Sequence, residues 1–391
     1  MRFGLYVHFP FCIRKCSYCD FYTVPFDEES VSRYQTFLKT ELDMWAKEVN
    51  GTVNTVYIGG GSPSIWPFRG FSDLIEHVSR SFDFLPVEFT LECNPQELVD
   101  ERLESWRALG VNRLSVGVQN TSKSLLGRVG RSVPVDLYSR LRKASSLFDN
   151  LNLDFILGLP GENTETVEAN LTLIEALLPE HLSYYVLDRY NESDLMRQYY
   201  NGRIGLPNTE QLYQMHDLIL DRLGSMGYTR YEVSSWQMKG FECLHNLAYW
   251  RNKDYLGVGA SAGGHFKNIR YVNISDIASF SEMLGRGVFP REYYSENSPI
   301  QELIEGLFMG LRMTAGIDLA DLMPDDSDLV AQMASLLKSV FGDHVSLRGS
   351  KVSFTSEGLD LTNQLLQRLS EHKEEISGVF SSRDTGYSNK H

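Results

Sequence analysis

The sequence predicts an α/β fold, a partial (β/α)6 barrel of TIM-like design followed by a small α+β module of winged-helix type. Three observations lead there. A short apolar run followed by a longer amphipathic stretch recurs six times between residue 3 and about residue 230. The residues with unusual chemistry fall at the ends of those runs. After about residue 230 the rhythm stops.

Taken in order, the strand candidates are "GLYVHFP", "VNTVYIGGG", "VEFTLECNP", "NRLSVGVQN", "LNLDFILGLPG" and "HLSYYVL". Helical patterns lie between them at 29–50, 72–82, 96–109, 135–147 and 164–178. Strands alternating with helices give a parallel sheet whose functional groups collect at the carboxyl ends of the strands. Cys12, Cys16 and Cys19 follow the first strand, and Gly59, Gly60 and Gly61 follow the second. Glu92 and Asn94 end the third, Gln119 ends the fourth, and Asp154 sits in the fifth just before "GLPG". Five such features on one edge mark a site.

Residues 1–230 form the core domain on this reading. Residues 231–297, rich in aromatics, Gly and His, read as a linking region of loops and short strands. Residues 298–380 carry two helices, a hairpin ("HVSLRGSKVSFT") and a last helix, the pattern of a winged-helix-like module. From Ile300 onward fourteen acidic residues face eight basic ones, which favours a protein or lid role over DNA. Residues 381–391 read as a disordered tail.

The chain of 391 residues is 42% apolar and 23% charged, an ordinary globular composition. A net charge of −14, from 37 basic and 51 acidic residues, argues against a general nucleic-acid surface. There is no apolar run of membrane-spanning length and no signal-peptide pattern. Five cysteines, three of them clustered, fit reduced thiols and a cytoplasmic location. The spacing Cys12-x3-Cys16-x2-Cys19 suits a loop wrapped round one cubane iron–sulfur cluster with its fourth iron open to a chelating ligand. A zinc ion completed by Cys93, Cys243 or a histidine accounts for the same three thiols.

"CIRKCSYC", with an aromatic directly before the third cysteine, resembles the radical S-adenosylmethionine (SAM) enzymes. "YIGGGSPS", "LECNP", "NRLSVGVQ", "LDFILGLPG" and "HNLAYW" extend the likeness to the oxygen-independent coproporphyrinogen III oxidase group. The resemblance implies a radical SAM barrel in which Cys12, Cys16 and Cys19 ligate a 4Fe-4S cluster and SAM chelates the open iron. It places Tyr6, Tyr18, Gly59, Gly60, Gly61, Ser62, Glu92, Gln119, Arg131 and Asp154 around SAM. Glycines there let the backbone come close to the ligand, since no Cβ intervenes. The residues alone leave other roles open. Asp154 in an apolar strand needs a partner that an ion pair also supplies, Glu92 on an alternating strand can face solvent, and Arg131 lies in a loop.

Within the group, the oxidases carry a fourth cysteine two residues past the third and a longer amino-terminal extension. Here that position is Phe21, and only eleven residues precede Cys12. Both departures resemble the HemW-like haem-chaperone branch. "HNLAYW" matches the HNxxYW haem motif of that branch, implying His245, Asn246, Tyr249 and Trp250 at haem, with His245 as axial ligand. The bland account makes His245 and Asn246 a hydrogen-bonded turn and the two aromatics core residues. "GSPS", "LGVGASAGGHF" and "LDRYNES" depart from the usual pattern of the branch, on the substrate side. The resemblance thus implies a haem chaperone that passes haem to acceptor proteins, with peripheral contact to membrane haem proteins allowed. A coproporphyrinogen decarboxylase is the alternative, and a radical methyl transferase or RNA-modifying enzyme a further one.

Overall fold

The computed structural model describes residues 1–324 and 326–385. Six parallel strands, β1 (Arg2–Phe9), β2 (Thr52–Gly60), β3 (Asp83–Cys93), β4 (Arg113–Gln119), β5 (Asn150–Leu157) and β6 (His181–Val186), lie side by side in chain order. Each is followed by helix on the outer face, including Glu28–Glu48, Phe68–Ser81, Asp100–Ala108, Leu137–Leu147 and Thr164–Leu177. This is the predicted partial barrel, and the reason is visible residue by residue. On β1 the apolar Phe3, Leu5, Val7 and Phe9 are buried against the helices. Successive side chains on a strand point to opposite faces, so Gly4, Tyr6 and His8 turn inward. The same alternation brings Thr55, Tyr57, Glu88, Glu92, Arg113, Ser115, Asn152, Asp154, His181 and Ser183 to the inner face, where most bond to one another, Thr55 and Glu88 bond to the segment at His245, and Arg113 bonds to Thr90. The lumen is polar, unlike the branched apolar filling of a packed TIM barrel.

The segment 231–297 differs from the expected linker. It extends the large sheet at both ends, covering edges that would otherwise stand open. Strands β7 (Thr229–Glu232) and β8 (Ser235–Gln237) form an antiparallel pair, with β8 on β6. Strand β9 (Tyr255–Val258) runs parallel to β1, and β10 (Gly263–Phe266), β11 (Ile269–Asn273) and β12 (Arg291–Glu296) continue outward from it. The connection between β8 and β9, which carries the short helix Leu244–Trp250, therefore crosses from one side of the arc to the other.

Residues beyond Pro299 build a second core around Leu307, Leu319, Met333, Leu337, Val352 and Leu369. The predicted hairpin is Val345–Arg348 with Lys351–Phe354, joined by Ile317–Asp318 in a three-stranded wing beside helices. The expected tail begins inside the last helix, Lys373–Thr385, and residues 386–391 lie outside the described residues. Among the described residues no helix is long and apolar enough to cross a membrane.

Candidate functional site

The cysteine loop is tied down from three directions. The Phe11–Cys12 pair bonds to Val24–Pro25, Ser17 N–H donates to Val129 O at 3.1 Å, and Leu195 N–H donates to Ser17 O at 2.7 Å. Gly61 N–H and Ser62 N–H donate to Phe9 O and Phe11 O, which seats the glycine turn against the same loop. All three thiols are unpaired and half-buried. Cys12 Sγ lies 3.5 Å from Ser62 Oγ, and Cys16 Sγ lies 3.8 Å from Arg131 Nη1.

Three free thiols serve either of the two metal readings. A tetrahedral zinc with bonds of about 2.3 Å holds its sulfurs roughly 3.8 Å apart. Among the described residues, His265, Glu302 and Glu305 are the one group whose three donor atoms lie within 4.8 Å of one another. The His265 group is bound up in a network of its own. Arg270 donates to Glu305 at 2.8 Å, and Glu302 accepts from Asn252 and Asn297.

Arg131 is the tie between loop and lumen. Its guanidinium donates to Tyr18 Oη at 2.9 Å, Asn94 Oδ1 at 2.8 Å and Gly117 O at 2.7 Å. Burial raises the Cys12 thiol above its ordinary value and pushes Cys19 up to about 11, a cost that a bound cation offsets by taking thiolates as ligands.

Above the middle of the lumen, Glu92 accepts from Tyr57 Oη at 2.8 Å and Gly60 N–H at 3.0 Å. It faces inward, not to solvent, and burial pushes its carboxyl up to about 7. Asp154 accepts from Ser115 Oγ and Asn152 Nδ2, both at 2.8 Å, and burial raises it too. Tyr6 Oη lies 2.9 Å from His8 Nδ1, and burial lowers His8 to about 4, so the ring is neutral at physiological pH. Gln119 adopts a left-handed φ of 66° at the end of β4, a conformation costly for a residue with a side chain.

The glycine turn is demanded by the protein itself. A Cβ on Gly59 would meet the Glu92 carboxylate at 2.9 Å, one on Gly60 the His8 ring at 2.6 Å, and one on Gly61 the Phe11 carbonyl at 2.6 Å. Sequence reasoning passed over His8, Tyr57 and Ser115. The period-two alternation of their strands was the signal that could have found them.

The HNxxYW residues lie elsewhere, at the amino-terminal floor of the barrel. His245 is fully buried at 0% exposure. Its Nδ1 is 2.8 Å from Thr55 Oγ1, and its Nε2 is 2.8 Å from Tyr249 Oη. Gly4 leaves room for the ring, since a Cβ there would meet His245 Cε1 at 3.1 Å. Glu88 holds the start of the helix by accepting from Leu244 N–H and His245 N–H at 2.8 and 2.9 Å. Burial, reinforced by Arg113, lowers His245 to about 3. A neutral ring with one nitrogen donating and the other accepting satisfies both hydroxyls. In this arrangement both nitrogens of the expected axial ligand are engaged by hydroxyls. Tyr249 packs on Tyr255 at 4.3 Å, Trp250 lies under Arg312 at 5.8 Å, and Asn246 is half-buried on the same helix.

The model of the radical SAM superfamily matches residues 6–174. The chain is 33% identical to heme chaperone HemW of Bacillus subtilis over 318 residues, covering 80% of this chain and 84% of that protein. It is 30% identical to heme chaperone HemW of Mycobacterium tuberculosis over 360 residues, covering 89% and 91%. Coproporphyrinogen III oxidase (HemN) from Escherichia coli, a radical SAM enzyme, superposes with a TM-score of 0.82 at 20% identity over 94% of this chain and 89% of that one. That last likeness gives the fold. With the identity to the first two over most of their length, and the cysteine loop at the mouth of a six-stranded arc, the chain belongs to the HemW family within the radical SAM superfamily.

Proposed function

We propose that this protein is a haem chaperone, carrying a 4Fe-4S cluster and SAM and delivering haem to acceptor proteins. Membership of the superfamily implies the cluster and SAM; haem follows from the names of the relatives. Cys12, Cys16 and Cys19 would hold the cluster, and Ser62 and Arg131 would steady its loop. Tyr6, Tyr18, the turn at Gly59, Gly60 and Gly61, Glu92, Gln119 and Asp154 would line the SAM side. When bound, the pair supplies one-electron chemistry at the open iron. The residues of this chain position it, exclude water from below and keep Glu92 and Asp154 facing the ligand.

The observation that carries the reading is the cysteine loop itself: three unpaired thiols held beside a buried arginine and a polar lumen. Phe21, 61% exposed, occupies the place where the oxidases have their fourth cysteine. The test is a haem titration of anaerobically reconstituted protein followed by visible absorption. Saturable binding near one haem per chain supports the chaperone. Absent binding, with protoporphyrinogen formed from coproporphyrinogen III, SAM and a reductant, replaces it with the decarboxylase.

A further inference from the structure

Four tyrosines and a histidine stand ring to ring down the lumen. Tyr6 on β1 and Tyr57 on β2 have their ring centroids 6.2 Å apart. Tyr57 lies 5.4 Å from the His245 ring, His245 lies 4.9 Å from Tyr249, and Tyr249 lies 4.3 Å from Tyr255 on β9. Tyr255 Oη accepts from Arg270 at 3.1 Å. Arg270 in turn lines a cavity of about 340 Å³ with Ile304, Glu305, Phe308, Met309 and Lys373. The ladder therefore runs from the SAM side of the lumen to a cavity at the junction with the carboxyl-terminal module.

Three of the four hydroxyls point at a base. Tyr57 donates to Glu92 at 2.8 Å. Tyr6 Oη is 2.9 Å from His8 Nδ1, and His8 Nε2 faces Tyr22 O at 3.4 Å. A carbonyl only accepts, so Nε2 carries the ring proton and Nδ1 takes the one that Tyr6 offers. Tyr249 Oη is 2.8 Å from His245 Nε2 and has no other partner among the described residues. Tyr255 differs, since its oxygen receives a guanidinium N–H. Neighbouring aromatic rings by themselves pack a core, but a core does not require each phenol to be paired with a base. A phenol gives up an electron readily when its proton leaves at the same time, and a base within hydrogen-bond reach takes that proton. A phenol that has lost an electron is strongly acidic, so a neutral imidazole suffices as the acceptor.

We infer that Tyr57, His245 and Tyr249 form a relay that carries oxidising equivalents out of the upper lumen and holds them at Tyr249. A one-electron oxidant at the mouth of the lumen, such as a dioxygen-derived radical, gains an electron from Tyr57, and the Tyr57 proton passes to ionised Glu92. Tyr249 refills Tyr57 with an electron and Glu92 returns its proton, while the Tyr249 proton passes to His245 Nε2. A thiolate from solution then supplies an electron through Tyr255, becoming a thiyl radical, and His245 hands the proton back. The oxidising equivalent rests at Tyr249 because the cation beside the Tyr255 oxygen opposes loss of an electron there. Haem plays no part in the relay, which stands or falls apart from the chaperone reading.

The test attaches one equivalent of a thiol-reactive ruthenium polypyridyl photo-oxidant to the full chain before a cluster is loaded. The half-buried thiols of the loop take the label, since Cys93 and Cys243 are buried. Flash oxidation followed by freeze-quenched electron paramagnetic resonance should show a tyrosyl radical in wild type that is lost in Tyr249→Phe and in Tyr57→Phe. Phenylalanine keeps each ring in its place, and Tyr255→Phe, which removes no phenol paired with a base, keeps the signal. A signal unchanged in both Tyr57→Phe and Tyr249→Phe, or no tyrosyl signal in wild type, overturns the relay.

Discussion

Replacing His245 by glutamine tests whether this histidine is a structural base of the barrel floor. The ring sits between Thr55 and Tyr249 with 2.8 Å contacts on both sides. Glutamine keeps a donor and an acceptor but not their spacing, so at least one buried hydroxyl loses its partner, at about 1–3 kcal/mol. The pH dependence is more specific. His245 is held to about 3 by burial, against an ordinary value of about 6.5 in the unfolded chain. The folded pKa is depressed, so below about pH 6.5 the unfolded state takes up a proton that the folded state refuses. The stability His245 contributes is therefore complete above that pH and is lost as pH falls toward 3. From about pH 7 to about pH 5 the loss is about 2 kcal/mol. Urea unfolding of wild type and His245→Gln at both pH values isolates this term. His8 and His181, also lowered by burial, and Glu41, raised to about 8, titrate alike in the two proteins and cancel. The stability gap between wild type and variant should narrow by about 2 kcal/mol on acidification. A gap that is constant or that widens refutes the neutral, buried assignment.

Arg131→Gln removes the cation that joins Tyr18, Asn94 and Gly117 O; cluster loss to a chelator, followed by iron release, should quicken about tenfold, roughly 1.4 kcal/mol. Gly60→Ala places a Cβ 2.6 Å from the His8 ring at a φ of 113°, and should cost at least about 2 kcal/mol in urea unfolding. Arg270→Ala strips the counter-charge from Glu305 beside His265 and Glu302. Zinc at a hundredfold excess over Kd should then stabilise the variant against unfolding by about 2.7 kcal/mol, and leave wild type unmoved.

The six-unit arc was legible because each strand buries its apolar set against a helix, so the repeat of patterns reports the layers directly. The cysteines and the glycine turn were legible because unusual residues at strand ends are few. Glu92 was ambiguous for a physical reason: alternation says that it leaves the apolar face, yet cannot tell an interior lumen from bulk water. Arg131 looked like any loop arginine, and only the fold brings residue 131 back to Tyr18 and Asn94. The segment 231–297 was misjudged because strands of three to six residues carry little periodicity, and their pairing with β1 and β6 spans long sequence separations.

The two ends of the lumen differ in the groups they bury, neutral ones at the floor and carboxyls higher up, and that difference gives the barrel a direction. At the floor, Tyr231, His181, Asn152 and Ser115 form a continuous chain of hydrogen bonds, each 2.7 Å, and His245 closes its own pair. Bonds in such a buried chain reinforce one another, although Arg113 Nε and Trp250 Nε1 nearby are buried without a partner among the described residues. Higher up, Glu92 has two donors for two oxygens and still lies at about 7, because burial and the nearby Asp154 both oppose its charge. Two carboxylates held above their ordinary values in one lumen are stabilised by any positive charge brought between them. SAM carries both a sulfonium and an ammonium, so its binding should draw Glu92 down from about 7. A drop of one unit makes binding about tenfold tighter above that pH than well below it. An affinity independent of pH between about 5 and 8 would mean that Glu92 does not face the bound cation.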